Sequence, residues 1–532
     1  MTSRRLATWV LLAATAPLVF LDPRGSIATL WPSVLAISLA FVTRDIHASL
    51  FLGALSGTWL LEGGNLVGAF LDLFSEYLIP ALTNPWNISV VIFTLLMGGF
   101  VELLERSGGL AALARRIEGR GTDPQRTGLT IYMLGWLFFV DGLGNAMLLG
   151  KTLRPSADRA GLSREKLAFI VDSTSSPIAS LALVSTWVAY EISVIRDGFA
   201  NATPGIDAGV APYGILIESL PYRFYPWFLL LIVFLSVRGR DFGPMLAAER
   251  ASRAASPPSA TTVDESDRSL AIASLSILPI LVLVGGVFVG LWIDGGGARQ
   301  RLTAAAAIDV LGRADAARVF VWATAVAIAV AMVVDSRVRR DGSGPAQVVV
   351  DGMQKMFRPA LILVLAWMLN GVIQEMGTAD YLVRSLGGRL PVALVPTGVF
   401  VLAAAVSFST GTSWGTMAVV MPLAIPLAAS LTGFVPGAAP SPILVATIGA
   451  VLAGAVFGDH ASPISDTTIV SAFASECDVM AHVRTQLPYV LLAAAIAIGI
   501  GYVPAGFGIA PWLLLPVGFV GCWIGMRPGQ RA

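Results

Sequence analysis

The stretch GAVFGDHASPISDTTIVSAFAS at 454–475 sets carboxylates, an imidazole and hydroxyls inside one of the most apolar neighbourhoods of the chain. PILVATIGAVLAGAVF precedes it at 442–457, and 487–503 is again almost wholly apolar. Between them stand Asp459, His460, Ser462, Ser465, Asp466, Thr467 and Thr468, with Gly458 and Pro463 among them. At bilayer depth each carboxylate costs about 2.5–3.5 kcal/mol, so it must face a cavity, a partner or a ligand. Pro463 has no N–H and Gly458 favours no single backbone state, so a helix breaks here. Freed carbonyls, carboxylates and hydroxyls then form an oxygen-rich nest suited to a hard cation or a proton. The blander reading is an extramembrane loop after a helix end. Further islands of the same kind weigh against it.

The first of these is Asp172-Ser-Thr-Ser-Ser-Pro177, which interrupts the apolar run 167–190. Asp172 with Ser173, Thr174, Ser175 and Ser176 offers a second ligand set, or a cap on a Pro-kinked helix. Asp141-Gly-Leu-Gly-Asn145 is the next island, where Asp141 and Asn145 can ligate a cation through carboxylate and amide oxygens or cap a returning helix. FSTGTSWGTM at 408–417 adds the hydroxyls of Thr410, Thr412 and Ser413, although such groups in membrane helices often bond back to carbonyls. Asp459 and Asp466 are seven residues apart, and the break leaves their relative placement open. A proton and a cation competing for one carboxylate are thereby coupled. His460 suits pH sensing or a plain hydrogen bond. Glu102, near a span end, ranks below these, and His47 and His482, also near span ends, receive no functional reading.

These islands need a scaffold, and the composition says which. The 532 residues are 55% hydrophobic and 13% charged, far below the one-quarter charge of a soluble domain, and the mean hydropathy is +0.76. The fold class expected is an all-α polytopic membrane protein. Balance between 35 basic and 34 acidic residues leaves no basic domain, so no nucleic-acid partner is expected. Cys477 and Cys522 lie too far apart for a metal or disulfide pattern. No phosphate loop, HExxH pair or CxxC occurs, so neither an enzyme nor a cofactor is expected. The N-terminal MTSRRLATWVLLAATAPLVFLDPRG resembles a signal peptide, but is read as an uncleaved first span.

Lys and Arg orient the chain. Arg4 and Arg5, Arg44, then Arg106 to Arg126 flank the first four apolar windows, and residues 45–105 hold no Lys or Arg, so the N-terminus is cytoplasmic. Residues 62–86 then lie outside. Only about 24 residues separate the basic clusters around 126 and 151, which predicts a re-entrant hairpin, since two full crossings need about 40. Continuing this way gives about 12 transmembrane helices plus two re-entrant hairpins, with both termini cytoplasmic in the inner membrane. External Arg299, Arg301, Arg313 and Arg318 run against the charge rule.

Three pieces recur in order: MGGFVELLERSGG from Met97 with MLNGVIQEMGTAD from Met368, FVDGLGNAM from Phe139 with FSTGTSWGTM from Phe408, and DSTSSPIASLALVS from Asp172 with GDHASPISDTTIVS from Gly458. Their derived directions are opposite. The expectation is two inverted structural repeats with discontinuous helices, an architecture of secondary transporters. The divisions expected are N-terminal helices at 1–86, a first repeat at 87–237 with hairpin tip 139–147 and broken helix 167–190, and a cytoplasmic linker at 238–269. Connecting helices follow at 270–340, a second repeat at 341–505 with tip 408–417 and broken helix 442–475, and a C-terminal helix and tail at 506–532.

Over roughly 85–505 the chain resembles the NhaC-type sodium/proton antiporter family of the ion-transporter superfamily. The stretches that carry the resemblance are VFGDHASPISDTTIVS at 456–471 with CDVMAHVRTQLPY at 477–489, FFVDGLGNAMLLGKTLRPSADRAGLSREKLAFIVDSTSSPIASLALVSTW at 138–187, and VSFSTGTSWGTMAVVMPLAIPLA at 406–428. The resemblance implies that the family's polar signature falls on Asp141, Asn145, Asp172, Ser173, Thr174, Thr410, Thr412, Ser413, Asp459, His460, Ser462, Ser465, Asp466 and Thr467. A sodium site is expected at Asp141, Asp172, Asp459 and Asp466. The chain departs from the family at Asp141-Gly142-Leu143, where Asp-Asp-Tyr is common, and at Ala461, where Cys is common. The partners expected are Na+ and H+ and the lipid bilayer, with a homodimer allowed for. An ion-coupled carrier of a small organic anion is the first alternative, since some family members look like malate or lactate exchangers, and a passive channel is the second.

Overall fold

In the computed structural model every described element is helical. The described residues are 3–526 apart from 25, 44, 108–122, 138, 140, 141, 184, 186, 204–207, 256–267, 298–309, 311–313, 339–343, 379, 380, 382–390 and 464. Helix α1 (Trp31–Thr43) packs on α2 (Ile46–Leu61), whose first turn is capped by the Asp45 carboxylate. A helical rod at Leu66–Thr83 follows, by length and composition able to cross a bilayer, although 62–86 was expected outside; Asp72 and Glu76 are its only charged residues.

Helix α3 (Pro85–Ser107) runs into the packed interior. Helices α4 (Pro124–Leu137) and α5 (Gly142–Arg159) form the first hairpin. The next span is cut in two: α6 (Arg164–Ser173) stops, Thr174 and Ser175 turn the chain, and α7 (Ser176–Leu181) restarts with Pro177 in its first turn, where no N–H is missed. After α8 (Val188–Ala202), α9 (Pro212–Ser219) and α10 (Phe224–Val237) form a pair bent by 48° around Arg223. The segment expected as a solvated linker opens with an amphipathic helix, α11 (Gly243–Ala255), docked by Glu249, which accepts from the Ser163 backbone at 2.8 Å.

Helices α12 (Arg268–Asp294) and α13 (Ala316–Val338) pack as a pair, and Arg318 is neutralised by Asp294 and Asp315. Helices α14 (Pro345–Lys355) and α15 (Phe357–Glu375) follow, bent by 41°. Here α14 crosses α3 almost backbone to backbone, since a Cβ on Gly98 would lie 2.5 Å from the Gly352 carbonyl. Small residues permit such approach where no hydrophobic force drives helices together. Helices α16 (Val395–Thr410) and α17 (Ser413–Leu431) form the second hairpin around Gly411, whose φ of 69° suits glycine. The second interrupted span is α18 (Pro442–Ala461) and α19 (Asp466–Ala474), after which α20 (Val479–Ile496) returns.

Among the described residues seven helices are long and apolar enough to cross a membrane, or nine if each bent pair is one span. The buried core runs continuously through α6, α8, α10, α17 and α18. The hairpin arms clasp the interrupted spans: a Cβ on Gly135 of α4 would touch the Thr174 side chain at 2.4 Å, and one on Gly150 of α5 would sit 2.5 Å from Ala474 of α19.

Candidate functional site

The two interruptions arise from the same local chemistry. Proline biases the preceding residue away from the helical region, and Ser462, before Pro463, is extended at φ −81°, ψ 132°. Ser465 then sits at the N-cap of α19, but its hydroxyl does not cap. It donates instead to Asp459 Oδ1 at 2.6 Å. At the other break, Ser175 lies off the helical region at φ −92°, ψ −96°, and Ser176 Oγ donates to Asp459 Oδ2 at 2.8 Å. One carboxylate from α18 is thus held by hydroxyls from both breaks. Thr467 Oγ1 is 3.0 Å from Ser465 Oγ, so the shell around Asp459 is hydroxylic.

Asp172, at the end of α6, faces the second half of the chain. Its Oδ2 is 3.1 Å from His482 Nε2 and 3.8 Å from His460 Nε2, and its Oδ1 accepts from Ser471 Oγ at 3.4 Å. His460 links the two carboxylates, being the neighbour of Asp459 in sequence and of Asp172 in space. Its Nε2 also meets Ser173 Oγ at 3.0 Å, and its Nδ1 meets the Tyr225 hydroxyl of α10 at 2.9 Å. Gln486 of α20 donates to the His460 carbonyl at 2.9 Å, and Thr468 Oγ1 donates to the carbonyls of Asp459 and His460. Both carboxylates are 1% exposed, so neither break is a loop in bulk water.

Asn145, at the start of α5, donates through Nδ2 to the carbonyls of Thr174 at 2.7 Å and Gly135 at 3.2 Å, which ties the first hairpin to the first break. Its Oδ1 is buried and has no partner, an amide oxygen left for a donor or a cation. Phe169 and Phe457 lie against this cluster, Phe169 6.5 Å from the His460 ring and Phe457 5.3 Å from Tyr225. An aromatic wall lowers the local dielectric and strengthens each polar contact within it.

The residues singled out from sequence do not all converge. Asp172, Ser173, Asp459, His460, Ser465 and Thr467 share one connected network. Thr174 is beside it, but its hydroxyl bonds back to the Ile170 carbonyl at 2.8 Å. Thr412 caps α17 through Gly415 N at 3.3 Å, and Ser413 and Ser462 are buried. Asp141 and the side chains of Thr410 and Asp466 lie outside the described residues. Glu102 belongs elsewhere, held by Lys355 and by Arg106 at 3.4 Å.

Sequence reasoning missed His482, Ser471, Gln486 and Tyr225. Tyr225 stands among apolar residues on α10, Ser471 continues the hydroxyl-bearing face of Thr467 and Thr468, and His482 and Gln486 are four residues apart, hence on one face of α20. That spacing was the available signal. Two further buried ion pairs flank the site. Arg223, at the bend between α9 and α10, reaches Glu191 at 3.0 Å and the Ser180 carbonyl of α7. Lys166 of α6 reaches Asp241 at 2.6 Å, and Tyr489 donates to the same carboxylate at 3.2 Å.

The chain matches the sequence model of the Na+/H+ antiporter family over residues 178–507. A Haemophilus influenzae protein described as uncharacterized is 32% identical over 497 residues, 92% of each chain. The Malate-2H(+)/Na(+)-lactate antiporter of Bacillus subtilis is 29% identical over 159 residues, 30% of this chain and 32% of that one. Among solved structures, the Alcanivorax borkumensis YdaH transporter aligns over 84% of this chain and 90% of its own with a TM-score of 0.54 at 16% identity, a likeness of fold. With more than half of its length matched by the family model and a membrane-spanning helical body around a buried carboxylate pair, the chain belongs to the NhaC-type Na+/H+ antiporter family and is a multi-pass secondary transporter rather than an enzyme.

Proposed function

We propose that the protein exchanges sodium for protons across the cytoplasmic membrane by alternating access, with Asp172 and Asp459 as the groups that take either cation. The observation that carries this reading is one network across two helix interruptions: Ser176 of one break on Asp459 of the other, and Asp172 of the first against His460 of the second. Oxygen donors dominate around Asp459, which suits a hard monovalent cation. The unpartnered Asn145 oxygen adds a ligand from the first hairpin. Asp141, Thr410 and Asp466, at the hairpin tips and the head of α19, are proposed to complete the set together with Ser173, Thr174, Thr412, Ser413, Ser462 and Thr467. In this proposal the halves 87–237 and 341–505 are inverted repeats, α4–α5 and α16–α17 are re-entrant, about 12 helices cross, and both termini are cytoplasmic.

A second reading is supported by the relative named as a malate and lactate exchanger, and by the buried guanidinium of Arg223 close to α7. In it an organic carboxylate is the cargo and the acidic pair carries the coupling ion. Proteoliposomes loaded with a pH dye separate the readings. Sodium or lithium pulses that move protons without added organic acid support cation exchange. Proton movement that requires malate or lactate supports the second reading, and ohmic currents without concentrative exchange contradict both.

A further inference from the structure

We infer that Ser475, His482 and Gln486 form a second binding station, on the cytoplasmic side of Asp172, for water and the hydrated cation approaching that carboxylate. The inference rests on the reading of Asp172 as the cation-handling group and adds where its guest waits on the inner side. Helix α20 starts at the surface, where Asp478 caps it through Ala481 N at 2.8 Å, and His482 and Gln486 follow on one inward face with no exposed area. His482 Nε2 lies 3.1 Å from Asp172 Oδ2, and the other ring nitrogen, Nδ1, is buried without a partner. Gln486 spends Nε2 on the His460 carbonyl, and its Oε1 is likewise buried and unpartnered. Ser475 lies one turn beyond Ser471, the residue that donates to Asp172, and its hydroxyl is also buried and without a partner. The three orphans thus follow the line from the α19–α20 turn to His460.

Their chemistry is selective. Gln486 Oε1 is an acceptor only, and the Ser475 hydroxyl and the imidazole of His482 can each turn a lone pair to a donor or a cation. Lys166 of α6 is already spent, since it gives its hydrogens to Asp241 and Ser236, and the Lys151 ammonium lies over the Phe473 ring of α19 at 6.0 Å. At the mouth, Glu476 holds Arg154 at 2.6 Å and Arg164 at 2.7 Å, which removes two further cations from competition. A buried polar atom without a partner is costly, and a bound water or cation relieves that cost.

The test uses Ser475→Cys in a parent carrying Cys477→Ser and Cys522→Ala. Cys477 is half-buried in the α19–α20 turn, and burial pushes its thiol up to about 12, but its removal leaves no ambiguity. Membrane-impermeant methanethiosulfonates of matched size, one carrying trimethylammonium and one sulfonate, are added to inverted vesicles. The cationic reagent is expected to react at least tenfold faster and to block flux, with no reaction from the outer face. Equal rates for the two charges, or no reaction from the cytoplasmic face, overturn the station. Gln486→Leu gives an independent reading: a sodium KM raised about tenfold supports the station, whereas an unchanged KM with a lowered thermal midpoint assigns Gln486 to scaffolding and overturns it. If the parent moves no sodium while the charge-selective labelling persists, the station stands and the sodium assignment falls.

Discussion

Asp459 is held by two neutral hydroxyl donors, Ser176 and Ser465, and each acts on a buried charge. A hydrogen bond to a charged group is worth about 1.5–3 kcal/mol, and 1.4 kcal/mol is tenfold in affinity. Ser176→Ala is therefore expected to raise the apparent sodium KM about tenfold or more while leaving the thermal midpoint close to that of the wild type, measured by sodium-driven proton flux in proteoliposomes. His482→Ala removes a hydrogen-bond partner of Asp172 and is expected to lower flux at least tenfold, whereas His47→Ala, beside an exposed helix start, leaves flux unchanged. Asp172, Asp459 and His460 were legible from sequence because ionisable groups in apolar runs demand an explanation. His482 was not, because a histidine four residues into a span reads as an interfacial group. Only the return of α20 beside α6 turns it inward onto Asp172.

At the scale of elements, the interruptions were legible because proline and serine clusters leave a helix few alternatives. Which residues of the two breaks touch was not, since no local rule says which helix α18 crosses. That crossing depends on Gly458, where a Cβ would meet the Phe408 amide nitrogen at 2.2 Å and Ser407 Cβ at 2.3 Å. Gly458→Val is expected to destabilise by about 1–3 kcal/mol through overpacking, read as a lowered thermal midpoint in detergent. The bend at Arg223 was equally hidden, since its acid partner Glu191 lies 32 residues earlier. Removing one member of a buried pair costs about 3–5 kcal/mol, while replacing both with apolar residues is often neutral. Arg223→Met alone is expected to lower the thermal midpoint strongly, and Glu191→Leu with Arg223→Met to recover most of it. A double variant as unstable as the sum of the singles contradicts this.

For the whole molecule, composition and charge balance made the helical membrane class plain, and the recurrence of three polar pieces pointed to two halves that meet. The docking of α11 and the spanning length of Leu66–Thr83 were not foreseen, because short segments bearing charges look like loops until their neighbours cover them. In the arrangement found, α6–α7 and α18–α20 meet in one buried polar network, and under the proposed function sodium and proton compete for it. Sodium added to purified, unbuffered protein in detergent should displace protons in a saturable way. The wild type is predicted to release protons on sodium addition, and Asp172→Asn and Asp459→Asn, each still folded by thermal melting, to release few or none. Undiminished proton release from both variants would contradict the assignment of Asp172 and Asp459 as the exchange site.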